Sequence, residues 1–269
     1  MKKLYTLIWI SIALLTACST TKTSVQRTGT STVNNGKVWA SLWQQRAAEY
    51  RALCFQAYNI ARLRLDEALK QTGGKPLAIV TDIDETILDN SPYDAQRAIN
   101  NQEYDLATWK QWTAKAACDT VAGAPSFFKY AASKGVTVFY ITNRDEDERA
   151  GTTKNLQQFN MPNVDISHVI LKTGSSSKEG RRLQVLNNYN VVLLCGDNLA
   201  DFDKLYDNHP SEQSRNAATT QLTKQFGSKY IVLPNPSYGD WEGALFNFNY
   251  KLTPAQKDSI IKANMRFDQ

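Results

Sequence analysis

The spacing of apolar residues changes along the chain, and each change predicts a different kind of element. Between residues 38 and 69 apolar side chains recur at helical intervals, as in Leu42, Tyr50, Leu53, Ala57, Ala61 and Leu65. This predicts one long or two shorter amphipathic helices, ended by Gly73, Gly74 and Pro76. Beyond Pro76 the pattern becomes short β-rich runs at 77–81, 136–142, 168–171, 191–195 and 230–233. They are too uniformly apolar for half-exposed strands and predict five mostly buried ones. Helical patterns lie between them at 124–134, 146–159, 178–189 and 200–206. Strands alternating with helices predict an α/β fold, a parallel sheet covered on both faces in three layers. Residues 92–121 follow the first strand but carry aromatic and helical residues, among them Tyr104, Trp109 and Trp112. They are read as a small helical cap inserted over the carboxyl ends of the strands.

The amino-terminal pattern is of another kind. Lys2 and Lys3 precede an apolar run at 4–15 that is short for a permanent bilayer span. Residues 1–17 are read as a signal peptide. The segment ends Leu15-Thr16-Ala17-Cys18, which resembles the bacterial lipobox, so Cys18 is expected to become a lipidated first residue. Acyl chains there would hold the protein on a membrane without a spanning helix. Residues 18–36 are dominated by Ser, Thr, Asn and Lys and are read as a flexible tether, leaving 37–269 as one globular domain.

Composition adds little. The 269 residues and 42% apolar content suit a globular protein with a real core. The net charge of +5 is interspersed and includes Lys2 and Lys3, so it gives no sign of a nucleic-acid polymer as partner. Cys54, Cys118 and Cys195 match no zinc or redox spacing. Cys195 reads as a small buried hydrophobe, and a Cys54 to Cys118 bridge stays open.

In an open parallel sheet the site lies beyond the carboxyl ends of the strands, and four of these ends carry reactive groups. Asp82-Ile83-Asp84-Glu85-Thr86 follows the first strand and Thr142-Asn143-Arg144 the second; Lys178 opens a helix, and Gly196-Asp197 through Asp201 follows the fourth. Asp82, Asp84, Asp197 and Asp201 converging in one crevice would repel unless a hard cation sat among them, and oxygen ligands favour magnesium over zinc. A phosphate dianion would then be held by that ion, by Lys178 and by the amides near Thr142 and Asn143. One carboxylate can attack phosphorus while a second protonates the leaving oxygen and later activates water. Singly, each element is commonplace, since aspartates cap turns and a lysine solvates a helix; it is their order after successive strands that carries the reading.

These four clusters resemble, in order and spacing, the motifs of the haloacid dehalogenase superfamily. The strings Val80-Thr81-Asp82-Ile83-Asp84-Glu85-Thr86-Ile87-Leu88-Asp89-Asn90 and Gly196-Asp197-Asn198-Leu199-Ala200-Asp201-Phe202 look like its lipoprotein branch, the class C acid phosphatases. The resemblance implies a Rossmann-like sheet, Asp82 as nucleophile and Asp84 as general acid and base. Magnesium would be bound by Asp82, the carbonyl of Asp84 and Asp197. Thr142, Asn143 and Lys178 would hold the phosphoryl group, with Asp201 orienting Lys178 or a metal-bound water. It also implies an envelope lipoprotein, of the outer membrane, that hydrolyses small phosphomonoesters, nucleoside monophosphates foremost, at mildly acidic pH. Relatives often pair as homodimers, which the sequence leaves open. Trp109 and Tyr238 match positions where the family clamps a base or aryl group, and packing is the equal alternative; Trp112 and Trp241 are read as packing residues. Arg181 and Arg182 read as helix-surface charges, and His168 receives no catalytic role. Two rival readings are another reaction of the superfamily, such as phosphoryl transfer, and a lipoprotein that binds a nucleotide or another ligand without turning it over. Asp84 argues against carbon–halogen cleavage, because an alkoxide needs a proton and a halide does not.

Overall fold

The structure is a computed structural model that describes residues 31–71 and 73–268. The expected signal peptide, Cys18 and most of the tether lie outside the described residues.

Two helices, α1 (Thr32–Arg46) and α2 (Ala48–Ala68), open the fold. The predicted run is therefore two helices, separated at Ala47, whose backbone is extended. The tether reading is corrected at its end: Ser31 caps α1 by accepting from the Asn34 amide, and residues 32–36 are helical. The reason is visible in what α1 buries. Asn34, Ser41 and Gln44 face inward while Trp39 and Leu42 are exposed, so burial follows polar side chains and the hydrophobic pattern misleads. Gln44 donates to Asp89 (3.0 Å) and Asn34 to Asn101 (2.6 Å).

β1 (Leu77–Thr81) leads through β2 (Leu88–Asp89) into the insertion, which holds α3 (Ser91–Ile99), α4 (Leu106–Ala114) and β3 (Asp119–Thr120). β2 and β3 pair antiparallel and close the cap onto the body. Then follow α5 (Ala124–Ser133), β4 (Thr137–Asp145), α6 (Arg149–Gln158), β5 (Val169–Lys172), α7 (Glu179–Asn188), β6 (Asn190–Gly196), α8 (Glu212–Gln221), β7 (Tyr230–Val232), α9 (Asp240–Leu245) and α10 (Pro254–Asn264). The main sheet has the order β5-β4-β1-β6-β7 and its pairs are parallel. All five predicted strands are present and the three-layer α/β fold is confirmed. Alternation along β1 shows the layering: Ile79 packs into the core that includes Ala61 and Leu65 of α2 and Phe128 of α5. Ala78 and Val80 join Val185 of α7 and Phe202 on the other face.

The helix expected at 200–206 is replaced by two 3-10 turns, Leu199–Asp201 and Lys204–Tyr206. Asn198 and Asp203 each accept from a backbone amide two residues on, and this local bonding stops a helix from propagating. Cys54, Cys118 and Cys195 are all buried free thiols, so the bridge left open by the sequence is not formed. No helix of the described residues is long and apolar enough to cross a membrane.

Candidate active site

The chain leaves β1 for β4 on one side and returns across the sheet to β6 on the other, which makes the gap beyond β1 and β6 a topological switch point. Asp82 extends the β1–β6 ladder by donating its amide to the Cys195 carbonyl (2.9 Å). Its side chain thereby points into a cavity of about 680 Å³. Asp84, Asn143, Lys178, Asp197 and Asp201 line the same cavity.

Lys178 is the electrostatic centre. Its buried Nζ lies 2.5 Å from Asp82 Oδ1 and 2.6 Å from Asp201 Oδ1. Burial works against its charge, yet Asp201 and Asp82 together hold the ammonium above its usual range. Asp82 is pushed up to about 7, first by burial and then by Asp201 and Asp84, with Lys178 pulling the other way. Burial, Asp201 and Asp82 raise Asp197 well above the usual carboxylate range, with Asn235 as its hydrogen-bond donor at 2.7 Å. Ligand oxygens of Asp82, Asp197 and Asp201 come within 4.8 Å of one another. Hard oxygen donors whose mutual repulsion favours protonation are what a small divalent cation relieves, so this set fits one. Gly196 makes the crowding possible, because a Cβ there would lie 2.6 Å from the Cβ of Asp201.

Asp84 is turned away from that cluster. Arg144 Nη2 donates to its Oδ1 (2.6 Å), Arg144 Nε lies 3.1 Å from both oxygens, and Asn90 Nδ2 adds a bond to Oδ1 (2.8 Å). Thr142 is fully buried behind the cavity lining, and its Oγ1 accepts from the Arg144 amide (3.2 Å). Thr142 is thus absent from the cavity lining, on which its neighbour Asn143 lies.

Arg181 and Arg182 correct the sequence reading, because both are buried. Arg181 donates to the Thr142 carbonyl (2.5 Å) and to Asn143 Oδ1 (2.6 Å); Arg182 holds the carbonyls of Ala200 (2.9 Å) and Asp201 (2.8 Å). They brace two of the four strand-end loops from behind. Glu85, Asn90 and Arg144 were also missed as supporting residues. Glu85 is buried in the left-handed region (φ 52°), where its carboxylate accepts from the Asn90 amide (2.7 Å) and from the Tyr238 hydroxyl. The signal was present in the sequence, since Glu85 and Asn90 belong to the first motif string, but nothing in their types shows which way they point.

Trp109 and Tyr238 both line the cavity. Trp109 packs edge-on against Tyr93, with centroids 5.2 Å apart. Trp112 donates from Nε1 to Asn90 Oδ1 (2.8 Å), and Trp241 to the Tyr238 carbonyl (3.1 Å), so these two support other residues. His168 bonds Asp165 and lies tilted against Phe139, and it is not among the residues that line the cavity.

A parallel sheet whose strand ends carry a buried aspartate paired to a lysine, a second carboxylate two residues on and a crowded acidic cluster defines a phosphohydrolase of haloacid dehalogenase type. Comparison places the chain within that class. Residues 1–241 match the family model of the haloacid dehalogenase superfamily, subfamily IIIB, the acid phosphatases, and the chain belongs to that family. It is similar to the class C acid phosphatase from Bacillus anthracis, with 40% identity over 88% of this chain and 99% of that chain and a TM-score of 0.84. The same relative with tungstate bound matches at 39% identity, with the same shares covered and a TM-score of 0.83. The protein is a phosphomonoesterase. Enzymes of the superfamily use a divalent metal, and Asp82, Asp197 and Asp201 could bind one.

Proposed function

We propose that the protein is a magnesium-dependent acid phosphatase that cleaves small phosphomonoesters, nucleoside monophosphates foremost, through a phosphorylated Asp82. The observation that carries this reading is Asp82 held at 2.5 Å from Lys178 in the same cavity wall as Asp84. A binding protein would gain nothing from a carboxylate that repels phosphate at this position.

Asp82 and Asp197, with the Asp84 carbonyl or Asp201, would hold the magnesium ion, which supplies positive charge to offset phosphate against the carboxylates. Lys178 and Asn143 hold the phosphoryl oxygens, and Arg181 keeps the Asn143 loop in place. An oxygen of Asp82 attacks phosphorus as the bond to the leaving oxygen breaks, and Asp84 gives its proton to that oxygen, releasing an alcohol. Oδ1 of Asp84 already accepts from Asn90 and twice from Arg144, whereas Oδ2 has a single 3.1 Å contact. Oδ2 is the oxygen left to carry the proton. Water then attacks phosphorus, passes a proton to Asp84 and frees both phosphate and Asp82. That a relative's structure holds tungstate, a tetrahedral oxyanion, is in keeping with phosphoryl binding.

Trp109 and Tyr238 are proposed to flank the base of a nucleotide, the Tyr238 ring being fixed by its hydroxyl on Glu85. The leader and lipobox support attachment to the cell envelope, at the outer membrane, through acyl chains on Cys18; Cys18→Ser should release the protein from membranes, and retention of the processed variant would refute the anchor. Asp82→Asn should abolish hydrolysis of p-nitrophenyl phosphate with the fold intact, and a chelator should do the same reversibly to the native protein. Turnover at the native rate in either case overturns the mechanism.

A further inference from the structure

The cavity extends beyond the phosphate end and the aromatic wall into a region bounded by α1, α3, α9 and α10, and the charges there are mostly paired off. Lys37 meets Glu242 at 3.1 Å and Lys257 meets Glu103 at 2.6 Å. Arg97 is engaged by the Glu103 carbonyl (2.8 Å) and the Gln102 side chain (2.9 Å). Asp94 is the exception. It is half-buried and lines the cavity, and no hydrogen bond or ion pair joins its carboxylate among the described residues; its Oδ2 is sealed from solvent, which leaves Oδ1 as the oxygen a ligand can reach. An unpaired carboxylate in such a place is costly, and selection of sequence for folding alone favours removing it.

Its position suggests what the cost is for. Asp94 follows Tyr93 on α3, and Tyr93 carries the Trp109 ring against which a leaving group would lie. Both lie on the wall of the one cavity that holds the nucleophile. A carboxylate can only accept when ionised, so the matching group on the substrate is a donor, best a nitrogen that bears hydrogen or positive charge. Consistent with a carboxyl that lacks its partner, burial pushes Asp94 up to about 7 against the attraction of Lys37.

From this unpartnered carboxylate on the leaving-group side of the cavity, we infer that Asp94 is a specificity residue that selects phosphomonoesters whose leaving group carries a nitrogen-borne hydrogen-bond donor. The inference rests on the phosphomonoesterase reading of the same site, but not on nucleotides being the preferred substrates.

Matched substrates, assayed at pH 8 where the Asp94 carboxyl is ionised, test it: AMP against purine riboside 5′-monophosphate, which lacks the amino group, and 2-aminoethyl phosphate against ethyl phosphate. The wild type should show a higher kcat/KM for the donor-bearing member of at least one pair. In Asp94→Ala that preference should fall on the order of tenfold, the effect of losing a charge-assisted hydrogen bond. Asp94→Asn keeps size and an acceptor oxygen and should lose part of the preference, which covers the case in which the alanine variant folds poorly. A preference unchanged in Asp94→Asn and Asp94→Ala, or no preference in the wild type for either pair, overturns the inference. Failure of the nucleotide reading is distinct, because it would remove the preference from the AMP pair and leave it in the aminoethyl pair.

Discussion

The Arg144–Asp84 ion pair offers a test in which the two partners should behave unequally. Arg144 has a side-chain exposure of 1% and Asp84 of 16%, so the arginine depends on its partner far more than the reverse. In Asp84→Ala the guanidinium loses the 2.6 Å contact and both Nε contacts and keeps the 3.1 Å bond to Thr152. It cannot shed its proton, so a buried charge stays uncompensated, at a cost of about 3–5 kcal/mol. For a chain of this size, where 1 kcal/mol moves Tm by roughly 2 °C, the midpoint should fall by about 6–10 °C. Arg144→Met leaves an aspartate that keeps the Asn90 bond and reaches solvent, so it should cost about 1–3 kcal/mol. The double variant removes the stranded charge and should be more stable than Asp84→Ala alone. Scanning calorimetry at pH 7 with a chelator present measures all four proteins without a contribution from metal affinity. A midpoint for Asp84→Ala within about 2 °C of the wild type, or single-variant losses that simply add in the double variant, would refute the reasoning.

Other outcomes follow from the same geometry. Asp94 is raised from 3.8 to about 7 in the fold, so the folded state binds more protons than the unfolded one across that interval. Wild-type stability should therefore fall as pH rises from about 4 to 7, and Asp94→Asn should gain on it by at most roughly 4 kcal/mol over that window. Parallel stability curves in urea titrations at the two ends would contradict this. Gly196→Ala forces a Cβ to within 2.6 Å of the Asp201 Cβ, so kcat should drop at least about tenfold together with a lowered Tm. Native kinetics in that variant would show that Asp201 moves without cost. Trp109→Ala should lose roughly five-fold to a hundred-fold in kcat/KM on AMP, from a stacking contribution of about 1–3 kcal/mol, and less on a small aliphatic phosphate. Equal losses on both would make Trp109 a packing residue.

The strands and the strand-end clusters were legible because they follow from local rules. A parallel strand covered on both faces must be continuously apolar, as in Val191 to Cys195, and the switch point then fixes where the chemistry lies. Where burial is decided by polar complementarity, the same rules fail. α1 faces the body with Asn34, Ser41 and Gln44 and read as a tether up to residue 36. α8, with the sequence EQSRNAATTQ, has almost no apolar face and was not anticipated. Arg181 and Arg182 looked like surface charges because a long side chain on a helix usually is one. Here backbone carbonyls from separate loops converge on them, which no spacing rule encodes. Asp201 could be placed in the acidic cluster from its motif, but its closeness to Lys178 depends on the absence of a side chain at Gly196.

The most direct test of the account is chemical capture of the covalent species. Rapid acid quenching during turnover, followed by borohydride reduction and mass spectrometry, converts a phosphorylated aspartate to homoserine. The account predicts homoserine at position 82, formed only when substrate is present and missing from Asp82→Asn. Homoserine at another aspartate, or a phosphate label on a histidine or serine, would contradict it.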